Sequence, residues 1–231
     1  MLLALSGICF GVLTSWVNVR TDWVVLSKLI GVGWPWAAVG VAAAAMVSRA
    51  RAVGALLALG GAVLGYYASD LALGVYTFID FSDPRANSDP MSARTSVAWS
   101  DAIRDAARWL FVAVVVSVPL GQVAGALNRT DGWGLLARLF LPIGAAMESF
   151  GIRLPSELAV QPSPVSVATH TIIGIAGVVA TAVLMTRHLA ASTTWAGRHT
   201  RPPRARRKRT ICSDVQVSCE GANGGGERSG D

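Results

Sequence analysis

Uncharged, mostly apolar stretches recur along the chain at lengths close to one bilayer crossing. A hydrocarbon core of about 30 Å takes roughly 20 residues at 1.5 Å rise per residue. Met1 to Val19 carries no charge and predicts a first span at 1–19, read as a retained helix because it lacks a basic leader region and an A-x-A cleavage site before Arg20. Leu29 to Val47 is the second such run, entered through Gly33-Trp34-Pro35-Trp36 and closed by Ser48-Arg49-Ala50-Arg51. The third lies at 52–71 and is expected to continue as helix through Asp70 toward Ile79. Residues 80–108 read as a polar outer connection with Pro84, Pro90 and alternating Asp and Arg. Its last part, Val97 to Arg108, has the spacing of an interfacial helix leading into the next span. Further spans follow at 109–127 with Pro119, at 132–150 with Arg138, Pro142 and Glu148, and at 165–186 after Gln161-Pro162-Ser163-Pro164, where proline suits a helix start. The expected fold is all-α: a polytopic bundle of six transmembrane helices within residues 1–189.

Composition agrees with this pattern. Of 231 residues, 52% are hydrophobic and 15% charged, with mean hydropathy +0.48, whereas soluble domains carry roughly a quarter charged residues. Charge divides unevenly. Up to Thr186 there are eleven Lys and Arg against ten Asp and Glu; from Arg187 onward there are nine against four. Residues 190–231 therefore read as a disordered tail, basic and then rich in Gly and Ser, too poor in apolar area to fold. Arg201, Arg204, Arg206, Arg207, Lys208 and Arg209 are its candidate contacts to anionic lipid headgroups. Without an aromatic side chain among them no base-stacking platform exists, and nucleic acid is not expected as a partner. The positive-inside rule puts this tail in the cytoplasm, and six spans put the N-terminus there too.

Helices in lipid associate through close backbone approach, which small residues four apart allow. Gly7 and Gly11, Gly61 and Gly65, and Gly121 and Gly125 supply this in three spans and are read as bundle packing, with homo-oligomerisation left open. Gly7 to Leu13 and Gly121 to Leu127 share the pattern G-x-x-x-G-x-L. Each would begin a set of three helices whose second member contains a proline, Pro35 or Pro142. Two such halves would have inverted topology, as in many secondary transporters.

The opening Ser6 to Ser15 segment, Gly65-Tyr66-Tyr67, Gly121 to Gly125 and Gly134-Leu135-Leu136-Ala137 resemble a family of small actinobacterial multi-pass membrane proteins, a domain of unknown function. The resemblance spans roughly Leu2 to Leu189. It implies a six-helix integral membrane protein of the cell membrane and brings no established activity or catalytic residue.

An ionisable group inside a span costs about 2.5 to 3.5 kcal/mol at the centre, so Asp70, Glu148 and His170 stand out. Each is expected near the outer end of its span, with Arg108 and Asn18 at the same level. Two readings follow. In one, Asp70, Glu148 and His170 line an outward-facing cavity for a cation or proton, with Arg108 as counter-charge. In the other, these groups reach headgroup water individually from the helix ends. No catalytic triad, zinc motif, phosphate loop or dinucleotide fingerprint occurs in a supporting context. Cys212 and Cys219 have no zinc spacing, Ser156-Glu157 reads as a turn, and neither metal nor cofactor is expected. The chain is thus expected to be a non-enzymatic membrane protein, structural or accessory, with a small secondary transporter or ion-conducting protein as the alternative.

Overall fold

The computed structural model describes residues 1–89, 91–160 and 163–199. One compact unit is Met1–Ala191; a second, Ser192–Asp231, contributes only the end of the last helix to the described residues. The fold is an all-α bundle. In chain order its helices are α1 (Leu2–Val19), α2 (Val24–Ile30), α3 (Gly33–Ala45), α4 (Arg51–Ala72), α5 (Trp99–Ala126), α6 (Gly132–Met147), a π-helical turn (Glu148–Arg153), α7 (Leu154–Val160) and α8 (Pro164–His199). Among the described residues five helical segments are long and apolar enough to cross a membrane, and there are six if the bent pair α2 and α3 is counted as one crossing.

Burial is inverted relative to a soluble protein. The largest fully buried side chains are His170, Val17, Thr14, Ser15 and Ser166, while Leu57, Leu64, Val114, Val115, Val118, Ile172, Val178 and Val179 are exposed. Apolar side chains this large, facing outward along successive turns, need a hydrocarbon solvent rather than water. The protein is a multi-pass membrane protein.

Small residues draw the helices together. A Cβ on Gly7 would lie 2.0 Å from the Ala58 carbonyl oxygen, and one on Gly11 1.9 Å from that of Ala62. Reciprocally, a Cβ on Gly61 or Gly65 would lie 2.4 Å from the carbonyl oxygen of Ala4 or Ile8. The α1 and α4 backbones are therefore in direct contact. A Cβ on Gly121 would lie 2.7 Å from the Ala52 amide nitrogen of α4, and Val41, Ala44, Ala55, Leu59, Ala113, Leu120 and Ala124 fill the space among α3, α4 and α5. On α8, a Cβ on Gly177 would lie 2.6 Å from the Pro142 carbonyl oxygen and one on Gly174 2.5 Å from the Phe150 ring.

Several boundaries differ from the sequence expectation. The second span begins at Val24 rather than Leu29 and is not continuous: it bends by 53° at Gly31 and Val32. The third helix stops at Ala72 instead of continuing to Ile79, because Gly74 takes φ of 76° and turns the chain. Beyond it Thr77–Ile79 pairs antiparallel with Thr95–Val97, Phe78 opposite Ser96, so the connection between α4 and α5 contains a small ribbon. The helix expected to end that connection is the start of α5 itself, from Trp99. The fifth crossing does not end at 150 but runs from Gly132 to Val160 through the π turn. Likewise α8 passes the expected end of the bundle at 189 and reaches His199, as no Gly or Pro interrupts 190–195. Arg201, Arg204, Arg206, Arg207, Lys208, Arg209 and both tail cysteines lie outside the described residues.

Asp83 organises the connection between α4 and α5. Its carboxylate accepts from the backbone N–H of Arg85 at 3.0 Å and of Arg94 at 2.9 Å and from the Arg85 guanidinium, and these bonds hold its pKa below the usual carboxylate value. A depressed folded pKa gives stability that is present above the unfolded value and is lost as pH falls through the folded one. Asp83→Ala is therefore expected to speed amide hydrogen exchange at Arg85 and Arg94 at neutral pH, and acidification below the normal carboxylate range should do the same to the wild type; unchanged exchange in the variant would contradict this role. For the bundle, Gly7→Ala should lower thermal stability in detergent by at least about 1–3 kcal/mol through overpacking. Gly144→Ala, whose added Cβ would meet nothing within 4 Å, should be close to neutral.

Candidate functional site

A charge centre forms where the two interrupted spans meet. A helix break inside a membrane frees backbone N–H groups that lipid cannot satisfy. At the α2/α3 break those groups belong to Gly33 and Trp34, and the Glu148 carboxylate takes them. Its Oε1 and Oε2 accept from Gly33 N at 2.8 and 2.9 Å, and Oε2 also accepts from Trp34 N at 3.1 Å. A negative group at a helix N-terminus also meets the positive end of the helix dipole. Gly33 eases the approach, since a Cβ there would stand 3.2 Å from Oε2 and the carboxylate would have to shift by a few tenths of an ångström. Glu148 opens the π turn, and at its other end Arg153 donates Nη2 to Glu148 Oε1 at 3.3 Å.

The remaining charges complete the centre. Lys28, on α2, forms an ion pair with Glu157, on α7. His170 is 1% exposed on α8, and its Nδ1 has no hydrogen-bond partner among the described residues. The charges within electrostatic reach of it are Lys28, Glu157, Arg153 and Glu148. The buried Trp34 Nε1 is also without a partner, beside a cavity of about 200 Å³ that Gly33, Phe140, Leu141 and Glu148 help to line. Hydroxyls nearby are satisfied locally: Thr169 and Thr171 donate to the carbonyls four residues back, at 2.7 Å each.

Asp70 and Arg108 do not join this centre. Asp70 is 5% exposed on α4, and its Oδ1 accepts from Ser15 Oγ of α1 at 2.6 Å. Arg108 is exposed and donates to Asp105, one turn earlier on α5, at 3.4 Å. Among the described residues no hydrogen bond or ion pair connects Asp70 or Arg108 to Glu148 or His170. The expected ring of Asp70, Arg108, Glu148 and His170 is thus two networks and a surface pair. Asn18 belongs with neither carboxylate. It accepts from Ser27 Oγ at 2.7 Å and donates to Tyr66 Oη at 3.3 Å, tying α1 to α2 and α4.

Sequence reasoning missed Lys28, Arg153 and Glu157. Glu157 sits in a short helix, not in the turn assigned to it, and its partner Lys28 lies 129 residues away. The one available signal was that Lys28 stands alone as a charge between Asp22 and Arg49. Among the described residues no three His, Cys, Asp or Glu side chains group as a metal would require.

No family model, curated protein or solved structure matches the chain.

The two networks should respond independently to mutation. Glu148→Gln removes charge-assisted bonds and is expected to cost about 1.5–3 kcal/mol of stability in detergent. Asp70→Asn keeps an acceptor for Ser15 and should cost about 0.5–1.5 kcal/mol. The double variant should be additive within about 0.5 kcal/mol, whereas Glu148→Gln with Arg153→Gln should not be. Strong coupling between Asp70 and Glu148 would mean they share one site after all.

Proposed function

We propose that the protein is a structural or accessory component of the cell membrane without catalysis, in which the outer charge centre locks two interrupted spans against each other. The pairing of that centre carries this reading. Glu148 is held by two backbone amides and Arg153, and Glu157 by Lys28, so both carboxylates are already engaged by the chain itself. The adjoining cavity of about 200 Å³ is below the roughly 300–1,000 Å³ of ordinary small-molecule sites.

A second reading, a small secondary transporter or ion-conducting protein, is favoured by His170. A buried imidazole with an open Nδ1 among four charges is a fitting proton carrier. It stands where the second and fifth crossings are both interrupted, and interrupted helices build the midplane sites of many transporters. In this reading the transported species is a proton or small cation.

Reconstitution into liposomes carrying a pH-sensitive dye separates the two. A structural role expects proton and cation flux equal to that of empty liposomes, in the wild type and in His170→Ala alike. Transport expects wild-type flux above that background, falling at least about tenfold in His170→Ala and Glu148→Gln. Both readings place the N- and C-termini in the cytoplasm, supported by Arg49, Arg51, Arg129 and Arg138 at one end of the bundle together with the basic tail. A reporter fused after Ala190 should be active on the cytoplasmic side only.

A further inference from the structure

At the bundle end opposite the charge centre, where α4 begins, α5 ends and α6 begins, a groove of about 630 Å³ lies between these helices. Its lining includes the polar residues Arg51, Arg129 and Gln122 together with Trp133, Val118 and Gly121. The arginines are not equivalent. Arg129 is neutralised by Asp131, at 2.6 Å, and Asp131 also caps α6 through Gly134 N at 3.1 Å. Arg138 spends its donors on the Leu127 and Arg129 carbonyls, at 3.1 and 2.9 Å, and has no carboxylate. Arg51 is half-buried, and among the described residues its guanidinium has neither a hydrogen-bond acceptor nor an ion-pair partner.

Gly125 explains how Arg51 is held. A Cβ at Gly125 would lie 2.5 Å from Arg51 Nη1, so the bare α5 surface is the bed on which the guanidinium rests. Gly125 differs in this from Gly7, Gly11, Gly61, Gly65 and Gly121, whose close neighbours are backbone atoms of another helix. A partly desolvated, unpaired guanidinium is costly unless an anion meets it. With Arg51, Arg129 and Arg138 against Asp131, the site carries excess positive charge; Val118 and Gly121 supply an apolar wall, and Trp133, 67% exposed, has the amphipathic ring that settles at headgroup level.

We propose that this groove binds an anionic phospholipid, its phosphate on Arg51 with Gln122 as a further donor, and its acyl chain along Val118 and Gly121. A free phosphate would use the same guanidinium but not the apolar wall. Basic residues at 201–209 would attract the same lipids by charge alone, so the test must be local to Arg51.

The full chain, tail included, is purified in neutral detergent and titrated with phosphatidylglycerol, phosphatidylcholine or inorganic phosphate. Bound lipid is read by native mass spectrometry and thermal stabilisation by melting. The expected result is preferential retention of phosphatidylglycerol, with affinity reduced about fivefold in Arg51→Gln, the effect of one basic contact at a lipid surface. Gly125→Ala meets only the end of a flexible side chain. It should keep the lipid-free melting temperature within a degree or two and lose comparable affinity. Equal retention of the two lipids, or unchanged phosphatidylglycerol affinity in both variants, overturns the proposal. Inorganic phosphate giving the same stabilisation at millimolar concentration as phosphatidylglycerol would assign the site to free phosphate and overturn the lipid assignment. Should Arg51→Gln fail to fold, Gly125→Ala decides alone.

Discussion

Backbone hydrogen bonding without water is the constraint from which the rest of this structure follows. The bend at Gly31 and Val32 frees the N–H groups of Gly33 and Trp34 at the start of α3, and hydrocarbon around them would offer no acceptor. The chain answers with a carboxylate from a distant helix, Glu148, which is itself placed by a π turn. That anion then needs a counter-charge, which Arg153 supplies, and the bent α2 is fixed at its far side by Lys28 on Glu157. Two irregularities that would each be unfavourable alone, a broken helix and a widened helical turn, become mutually supporting.

The bundle around this centre is held by contact rather than by exclusion of water. Leu and Val outside gain nothing from facing one another instead of lipid, so the interior is given to Gly, Ala, Ser and Thr, which bring backbones together. The α1 and α4 pair shows the logic most plainly, with glycines of each helix set against carbonyls of the other. The same small interior leaves room for Ser15 and Asp70 to meet between those helices, and for His170 to be enclosed by α8 and its neighbours. Polar groups at the two ends are treated differently. Glu148 and Glu157 are engaged by the chain's own donors, while at the other end Arg51 has no ion-pair or hydrogen-bond partner among the described residues.

Much of this was readable from residue order. The lengths of the apolar runs gave the crossings because hydrocarbon thickness sets span length, and glycines four apart marked the α1 and α4 contact. Proline and glycine near the start of the second span, and Pro142 with Glu148 in the fifth, marked where helices would be irregular. The nature of each irregularity was not readable: whether Gly31-Val32 bends the span, or whether 148–153 widens into a π turn, depends on which partner groups stand across from the freed backbone.

Pairings were the part that tertiary structure alone decided. Asp70, Arg108, Glu148 and His170 all fall near outer helix ends by residue counting, and axial position is a one-dimensional quantity that a chain of known rise supplies. Which side of its helix each group faces, and which helix lies there, is set by packing between residues 55 to 129 positions apart in sequence. That packing sent Asp70 to Ser15, left Arg108 on the surface, and brought Lys28, Arg153 and Glu157 to Glu148 and His170. Likewise Gly125 shares its spacing with the helix-packing glycines, and only the path of the Arg51 side chain across it gives it a different role.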